Sequence, residues 1–222
     1  MAFTLDVTSM TEPAVPAGVR DAEWTALADR FRVAHARVVA VAATGVYGYR
    51  ELEAQAAERT RVVNFAALSQ GNYDDVVVLG IGGSSLGAVA LRTALRPAAW
   101  NARTAAQRDG HPRLHVLDNV DPRTIAGVLS IVDLSRTIFV VISKSGGTIE
   151  TLAQYLVVRD RLAKAGLDAA RHLVFVTDPA KGALRAIARR DGIPAFEVPP
   201  NVGGRFSVLS PVGTLPAALC GI

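Results

Sequence analysis

The sequence predicts an α/β fold, a doubly wound parallel sheet covered by helices, with an N-terminal helical extension. Three observations predict it. Short, wholly apolar runs recur from residue 75 onward. Amphipathic helical patterns separate those runs. Glycine-rich or Ser/Thr-rich turns follow the runs, where a parallel sheet presents the carboxyl ends of its strands.

Residues 1–20 carry Pro13, Pro16 and Gly18 and little periodicity, which predicts a loose N-terminal arm. From Asp21 the pattern turns helical, with Trp24, Leu27, Phe31 and Val38 at helical spacing and charged residues between them. His35 on this helix is expected to be partly buried. A second helix is expected over about 50–65, and both helices are expected to pack outside the domain that follows.

The first buried strand is predicted at Val76-Val77-Val78-Leu79 and the second at Leu114-His115-Val116-Leu117. The third spans Thr137 to Ile142, the fourth is Leu173-Val174-Phe175-Val176, and a weaker fifth covers Ala195 to Val198. Continuous apolar runs of this length suit strands buried on both faces. Between them, Ser84 to Leu95 reads as a helix. Ile125, Val128, Leu129 and Val132 share one helical face, Ile149, Leu152 and Leu156 a second, and Leu184, Ile187 and Ala188 a third. Asp121-Pro122 and Asp178-Pro179 each place a capping acid before a proline suited to a first helical turn. Gly192 stands where the last of these helices should stop.

Half of the 222 residues are apolar and a fifth are charged, a balance that supports a folded core. The net charge of +4 is scattered rather than clustered, which argues against nucleic-acid binding. Cys220 is the single cysteine, so no internal disulfide forms, in keeping with a reducing cytoplasm. Residues 1–20 show no signal-peptide pattern, and no uncharged apolar run reaches the ~18 residues of a membrane span. A cytoplasmic chain without membrane or nucleic-acid partners is expected.

Chemistry is expected just after the strands. The first is followed by Gly80-Ile81-Gly82-Gly83-Ser84-Ser85-Leu86-Gly87, a glycine turn opening into a helix. Amide groups at a helix N-terminus attract anions. The third is followed by Ser143-Lys144-Ser145-Gly146-Gly147-Thr148-Ile149-Glu150-Thr151, rich in donors for phosphate oxygens. The third segment is Asn201-Val202-Gly203-Gly204-Arg205-Phe206-Ser207, in which two glycines set a permanently charged guanidinium on a tight backbone.

Each segment has a plainer explanation. A Walker P-loop would need Gly-Lys-Ser/Thr at its end, and Leu86-Gly87 is followed by alanine. A dinucleotide fingerprint would need glycine at Ser85, and Asp118 lies well beyond the ~20 residues at which a ribose-binding acid usually follows. Gly83-Ser84-Ser85-Leu86-Gly87 also fits the G-x-S-x-G elbow of a serine hydrolase using Ser85. The later histidines, His111, His115 and His172, all fall before or inside strands, at the wrong edge of the sheet for that chemistry. The second segment taken alone is equally an ordinary capped turn, and Arg205 taken alone a surface arginine. Their occurrence together favours one shared ligand site. Cys220 reads as a small apolar residue.

At these three segments the chain resembles the phosphoglucose isomerase (glucose-6-phosphate isomerase) family. The resemblance runs from about Tyr73 to the end and rests on LGIGGSSLG at 79–87, SKSGGTIET at 143–151 and NVGGRFSVLSPVG at 201–213. The last matches the family signature and is the most specific. The resemblance implies a flavodoxin-like sugar isomerase (SIS) domain over residues 71–222, with residues 1–70 as arm and helices. It implies sugar contacts from Gly83 and Ser84, and phosphate held by Ser143, Ser145, Thr148 and Thr151, with Lys144 in the same loop. Arg205, with Gly204 beside it, would stabilise an enediolate intermediate. The implied reaction interconverts glucose 6-phosphate and fructose 6-phosphate with no metal and no cofactor. Family members carry a glutamate base, a ring-opening histidine and lysine, and a second SIS domain further along. None of these has a counterpart here, and Glu150 is not given the base role. The expectation is therefore an incomplete enzyme that binds but does not turn over, a homodimer in its full-length form. Two alternatives stay open, a non-catalytic sugar-phosphate-sensing SIS module and the serine hydrolase using Ser85.

Overall fold

The computed structural model describes residues 4–12 and 14–222. These fall into two compact units, one ending at Val46 and one running from Tyr47 to Ile222. Part of the expected arm, residues 1–3 and Pro13, lies outside the described residues. The remainder of that arm holds a 3-10 turn at Thr8–Met10 and a single bridge between Thr11 and Val19. Helix α1, Asp21–Ala42, follows. Its start is a capping box in which the Glu23 side chain accepts the Arg20 backbone N–H at 2.9 Å. None of its residues is buried. His35, expected partly buried, is exposed and stacks on Phe31 one turn away, ring centroids 5.8 Å apart.

The second unit contains α2 (Ala56–Ser69), β1 (Asp75–Leu79), α3 (Leu86–Leu95), β2 (Arg113–Leu117) and α4 (Pro122–Ile131). It continues with β3 (Thr137–Ser143), α5 (Ile149–Lys164), α6 (Ala169–His172), β4 (Leu173–Thr177), α7 (Ala183–Asp191), β5 (Ala195–Glu197) and α8 (Pro211–Leu219). All five expected strands form, in one parallel sheet of order β2-β1-β3-β4-β5. β1 lies in register with both β2 and β3, Asp75 opposite Arg113 on one side and Thr137 on the other. The chain reverses its direction of winding between β1 and β3, so a crevice opens at their carboxyl ends.

Every residue of β1, β3 and β4 is buried, because helices cover both faces. Val76, Val78, Val140, Ile142, Val174 and Val176 point to one face and meet Val62 of α2, Ala88 of α3 and Val212 and Leu215 of α8. Val77, Leu79, Phe139, Val141 and Phe175 point to the other, against Ile125, Tyr155, Val158, Leu162 and Leu184. Each such side chain stabilises the fold by about 1.5–3 kcal/mol. Cys220 is part of the first cluster, and burial pushes its thiol up to about 12.

The two edge strands are blocked by side chains. On β2, the Asn101 amide donates to the Leu114 carbonyl at 2.8 Å and accepts the Leu114 N–H at 3.0 Å, standing in for a neighbouring strand. On β5, Glu58 accepts the Glu197 N–H at 3.0 Å and Arg61 donates to the Ala195 carbonyl at 3.1 Å.

Three local expectations are corrected. The helix expected over 50–65 is a 3-10 turn at Gly48–Ala54 and then α2, broken at Gln55. Arg59 reaches back to the Leu52 and Glu53 carbonyls and satisfies the end of the first piece. On α5 the buried face is Thr151, Gln154, Tyr155, Val158 and Leu162, while Ile149 and Leu156 are 76% and 57% exposed. The Gln154 amide sets that face by donating to the Leu117 and Asn119 carbonyls at 3.0 and 2.8 Å, which apolar periodicity cannot register. Asp121 caps α4 as expected, accepting the Thr124 N–H at 2.8 Å. Asp178 instead caps a tight turn, accepting from Ala180 and Lys181, and α7 starts only at Ala183.

Candidate functional site

Two loops leave the carboxyl edge at the β1/β3 switch point, and the segment that follows β5 comes back to meet them. β1 ends at Leu79, and a 3-10 turn over Gly82–Ser84 leads into α3. Ser84 N–H donates to the Ile81 carbonyl and Ser85 N–H to the Gly82 carbonyl, both at 3.1 Å. The decisive feature here is Gly83. A methyl group on it would overlap the carbonyl oxygen and carbon of Gly204, so the two glycine backbones touch. The first loop and the arginine segment therefore meet, and Arg205 is the next residue along.

β3 runs through Ser143, whose hydroxyl is 2.9 Å from that of Thr148 and 3.4 Å from that of Ser145. Ser145 and Thr148 are also 3.4 Å apart. The three hydroxyls form a triangle over the start of α5. Thr148 occupies the N-cap position but makes no side-chain bond to the helix amides. Its hydroxyl faces Ser143 instead, so the first-turn N–H groups have no side-chain acceptor. Hydroxyls gathered at a helix N-terminus are a donor set suited to an oxyanion.

Lys144 stands between Ser143 and Ser145 in the chain. Its ammonium donates to the Pro200 carbonyl at 3.0 Å, crossing from the β3 loop to the arginine segment. Thr151 lies one turn into α5, 1% exposed, with no hydrogen-bond partner for its hydroxyl. Arg205 and Gly204 lie in a 3-10 turn over Gly204–Phe206 and are exposed. Arg205 enters no ion pair among the described residues. No group of three or more His, Cys, Asp or Glu among the described residues is arranged to hold a metal ion. No helix of the described residues is long and apolar enough to cross a membrane.

Ser85 is fully buried, with its hydroxyl donating to the Gly82 carbonyl at 3.1 Å. His115 bonds to Asp75 at 2.9 Å and His172 to the Thr137 carbonyl at 2.9 Å, both at the opposite edge of the sheet. A covered hydroxyl with no imidazole facing it is not a hydrolase nucleophile.

The profile of the phosphoglucose isomerase family matches residues 26–221, nearly the whole chain. The chain belongs to the phosphoglucose isomerase family. A glucose-6-phosphate isomerase of Carboxydothermus hydrogenoformans is 52% identical over 147 residues, 66% of this chain and 32% of that protein. A probable glucose-6-phosphate isomerase of Haloarcula marismortui is 36% identical over 219 residues, 98% of this chain and 47% of that one. Among solved structures, a hypothetical protein of Thermus thermophilus superposes with a TM-score of 0.75 at 38% identity, covering 89% of this chain and 45% of its own. A glucose-6-phosphate isomerase of Chlamydia trachomatis does so at 0.60 and 31% identity, covering 72% and 28%. The chain thus spans between about a third and a half of the relatives it matches.

Two supports of this family site were invisible in the motifs. The turn after β4 is one: Gly182, at φ +89°, packs against the Ser145 carbonyl and Gly146, and Leu184 N–H donates to the Gly146 carbonyl at 3.0 Å. That latch delays the start of α7. The other is the turn over Gly48–Ala54. Gly48 N–H donates to the Asn201 carbonyl at 3.2 Å, and Tyr49 stacks on Phe206 with ring centroids 5.0 Å apart. A glycine followed by an aromatic residue far upstream carries no pattern that ties it to residues 201–206.

Proposed function

We infer that this chain carries the phosphate-gripping and charge-stabilising part of an aldose–ketose isomerase acting on glucose 6-phosphate and fructose 6-phosphate. The observation that carries the reading is the backbone contact of Gly83 with Gly204, which brings the Arg205 backbone to the turn over Gly82–Ser84. The hydroxyl triangle of Ser143, Ser145 and Thr148 lies on the adjacent strand. Family membership and the names of the relatives point the same way.

In this reading the phosphate sits on the hydroxyl triangle and the first-turn amides of α5. Thr151 lies in the first turn of α5, its buried hydroxyl without a hydrogen-bond partner in the ligand-free protein. Gly83 and Ser84 border the sugar. A base takes the proton from C2 of the open-chain aldose, and the C1 carbonyl becomes the enediolate oxygen. The proton returns at C1 while the proton of the C2 hydroxyl passes to the C1 oxygen, leaving a ketone at C2 and a hydroxyl at C1. No external oxidant or reductant enters. Arg205 stabilises the oxyanion as it develops, where a fixed cation contributes most.

We assign the role of base to none of Asp121, Asp178 and Glu150. Asp121 and Asp178 spend oxygens on the N–H groups of their own turns. Glu150 lies in the first turn of α5, inside the phosphate loop's own helix. The chain alone is therefore a binder without turnover. Titration calorimetry with fructose 6-phosphate and a coupled isomerase assay on the purified 222-residue chain test both halves. Binding without turnover is the expected result. Robust turnover overturns the incompleteness, and absence of binding overturns the site.

A further inference from the structure

We propose that Lys144 is a positioning residue: its ammonium does not grip the phosphate but ties the phosphate loop to the arginine segment, so that occupancy of one orders the other. This rests on the reading of the site given above and assigns the lysine a different task from its neighbours Ser143 and Ser145.

The backbone of Lys144 is held first. Its carbonyl accepts the Asp178 N–H at 3.1 Å, so the turn after β4 braces it from one side. Its side chain then crosses to the Pro200 carbonyl at 3.0 Å. Pro200 lies in the turn closed by Val202 N–H on the Pro199 carbonyl at 3.0 Å, immediately before Gly203-Gly204-Arg205. Prolines at 199 and 200 donate no amide hydrogen bonds, so carbonyls anchor this stretch.

The arginine segment is also met by Gly48 at Asn201, by Tyr49 at Phe206 and by Gly83 at Gly204. None of these three contacts comes from the phosphate loop. The Lys144–Pro200 bond joins the loop bearing the hydroxyl triangle to the stretch bearing Arg205. Lys144 enters no ion pair there, so its charge is not spent on a carboxylate. An anion on the triangle draws on the same positive field. It tightens the loop that carries the ammonium and, through it, the carbonyl that the ammonium holds.

Amide hydrogen exchange on the full 222-residue chain, with and without fructose 6-phosphate, tests the link. In the ligand-free protein, Lys144→Met is expected to speed exchange at 201–207 about fivefold, the effect of one lost charge-assisted hydrogen bond. Exchange at 145–151 should stay within about twofold, and Lys144→Arg, which keeps a donor, should restore the slower rate at 201–207. With ligand, the parent chain should slow at both 145–151 and 201–207, while Lys144→Met should slow only at 145–151. Unchanged ligand-free exchange at 201–207 in Lys144→Met overturns the tether. So does a Lys144→Met chain that loses ligand binding altogether while its ligand-free exchange at 201–207 matches the parent, since that marks a direct phosphate contact. A parent chain that binds no sugar phosphate sinks the proposed function instead, while the ligand-free comparison still decides whether the tether exists.

Discussion

A methyl group separates the two glycines that meet at the centre of the site. On Gly83 it would overlap the Gly204 carbonyl, whereas on Gly204 it would meet nothing within 4 Å. Gly83→Ala is therefore expected to lose about 1–3 kcal/mol in urea unfolding, the cost of forcing two packed backbones apart, and Gly204→Ala to stay within about 0.5 kcal/mol. Equal losses at both positions would contradict the contact. The polar residues divide by the state they serve. On the proposed phosphate grip, Ser145→Ala with Thr148→Ala should weaken fructose 6-phosphate binding at least tenfold by calorimetry. Arg205→Ala should change that affinity less than threefold, yet cost ~100-fold or more in kcat of a turnover-competent, full-length form. An arginine variant that loses ground-state binding instead would place the guanidinium on the phosphate. At this scale the sequence was most legible at Gly83, because a backbone in close contact with another must be glycine. It was least legible for Lys144, since an ammonium on a flexible stem reaches whichever acceptor the fold brings near.

At the scale of elements, the turn over Gly48–Ala54 acts on the site from far upstream. Tyr49 covers one side of Phe206, and the Gly203 backbone lies close to the same ring. Tyr49→Ala is expected to destabilise the unit by about 1 kcal/mol through the lost ring contact, and Tyr49→Phe to retain the parent stability, both read from urea midpoints. If Phe fails to rescue, the hydroxyl rather than the ring does the holding. The strands were readable because each is an unbroken apolar run, a pattern that burial on both faces alone demands. The face of α5 was not. Gln154 and Thr151 occupy positions that apolar counting assigns to solvent, and Gln154 is there to satisfy the Leu117 and Asn119 carbonyls. The Asp178-Pro179 pair likewise reads as a helix start, but Gly182 must first pass beneath Ser145 and Gly146.

Across the whole molecule, stability and chemistry sit at opposite edges of one sheet. The amino edge is locked by Asp75, buried at the start of β1. Its carboxylate takes Arg113 Nε and Nη2 at 2.7 and 2.6 Å and His115 Nε2 at 2.9 Å. Burial acts to raise this carboxyl, but the hydrogen bonds from His115 and Arg113 and their charges outweigh it and hold it below the usual carboxylate range. A group depressed in the folded state contributes its stability above the unfolded value of ~3.9 and loses it as pH falls through the folded value. Asp75→Asn should thus cost about 3 kcal/mol at pH 7, where it strands Arg113, and less at pH 3, where the parent has begun to lose the same term. A pH-independent difference between variant and parent would remove Asp75 from the acid limb of the stability curve.

The sequence by itself determined the parallel α/β class, the five strands and the three loops that carry donors and a guanidinium. These follow from local rules, since a strand buried on both faces must be apolar and a backbone in close contact must be glycine. Tertiary structure alone decided which loops touch: Gly83 on Gly204, Lys144 on Pro200, Gly182 on Gly146, Tyr49 on Phe206. Such contacts depend on the strand order β2-β1-β3-β4-β5, which brings together residues distant in the chain. No single stretch of chain contains the information about what its side chains will meet.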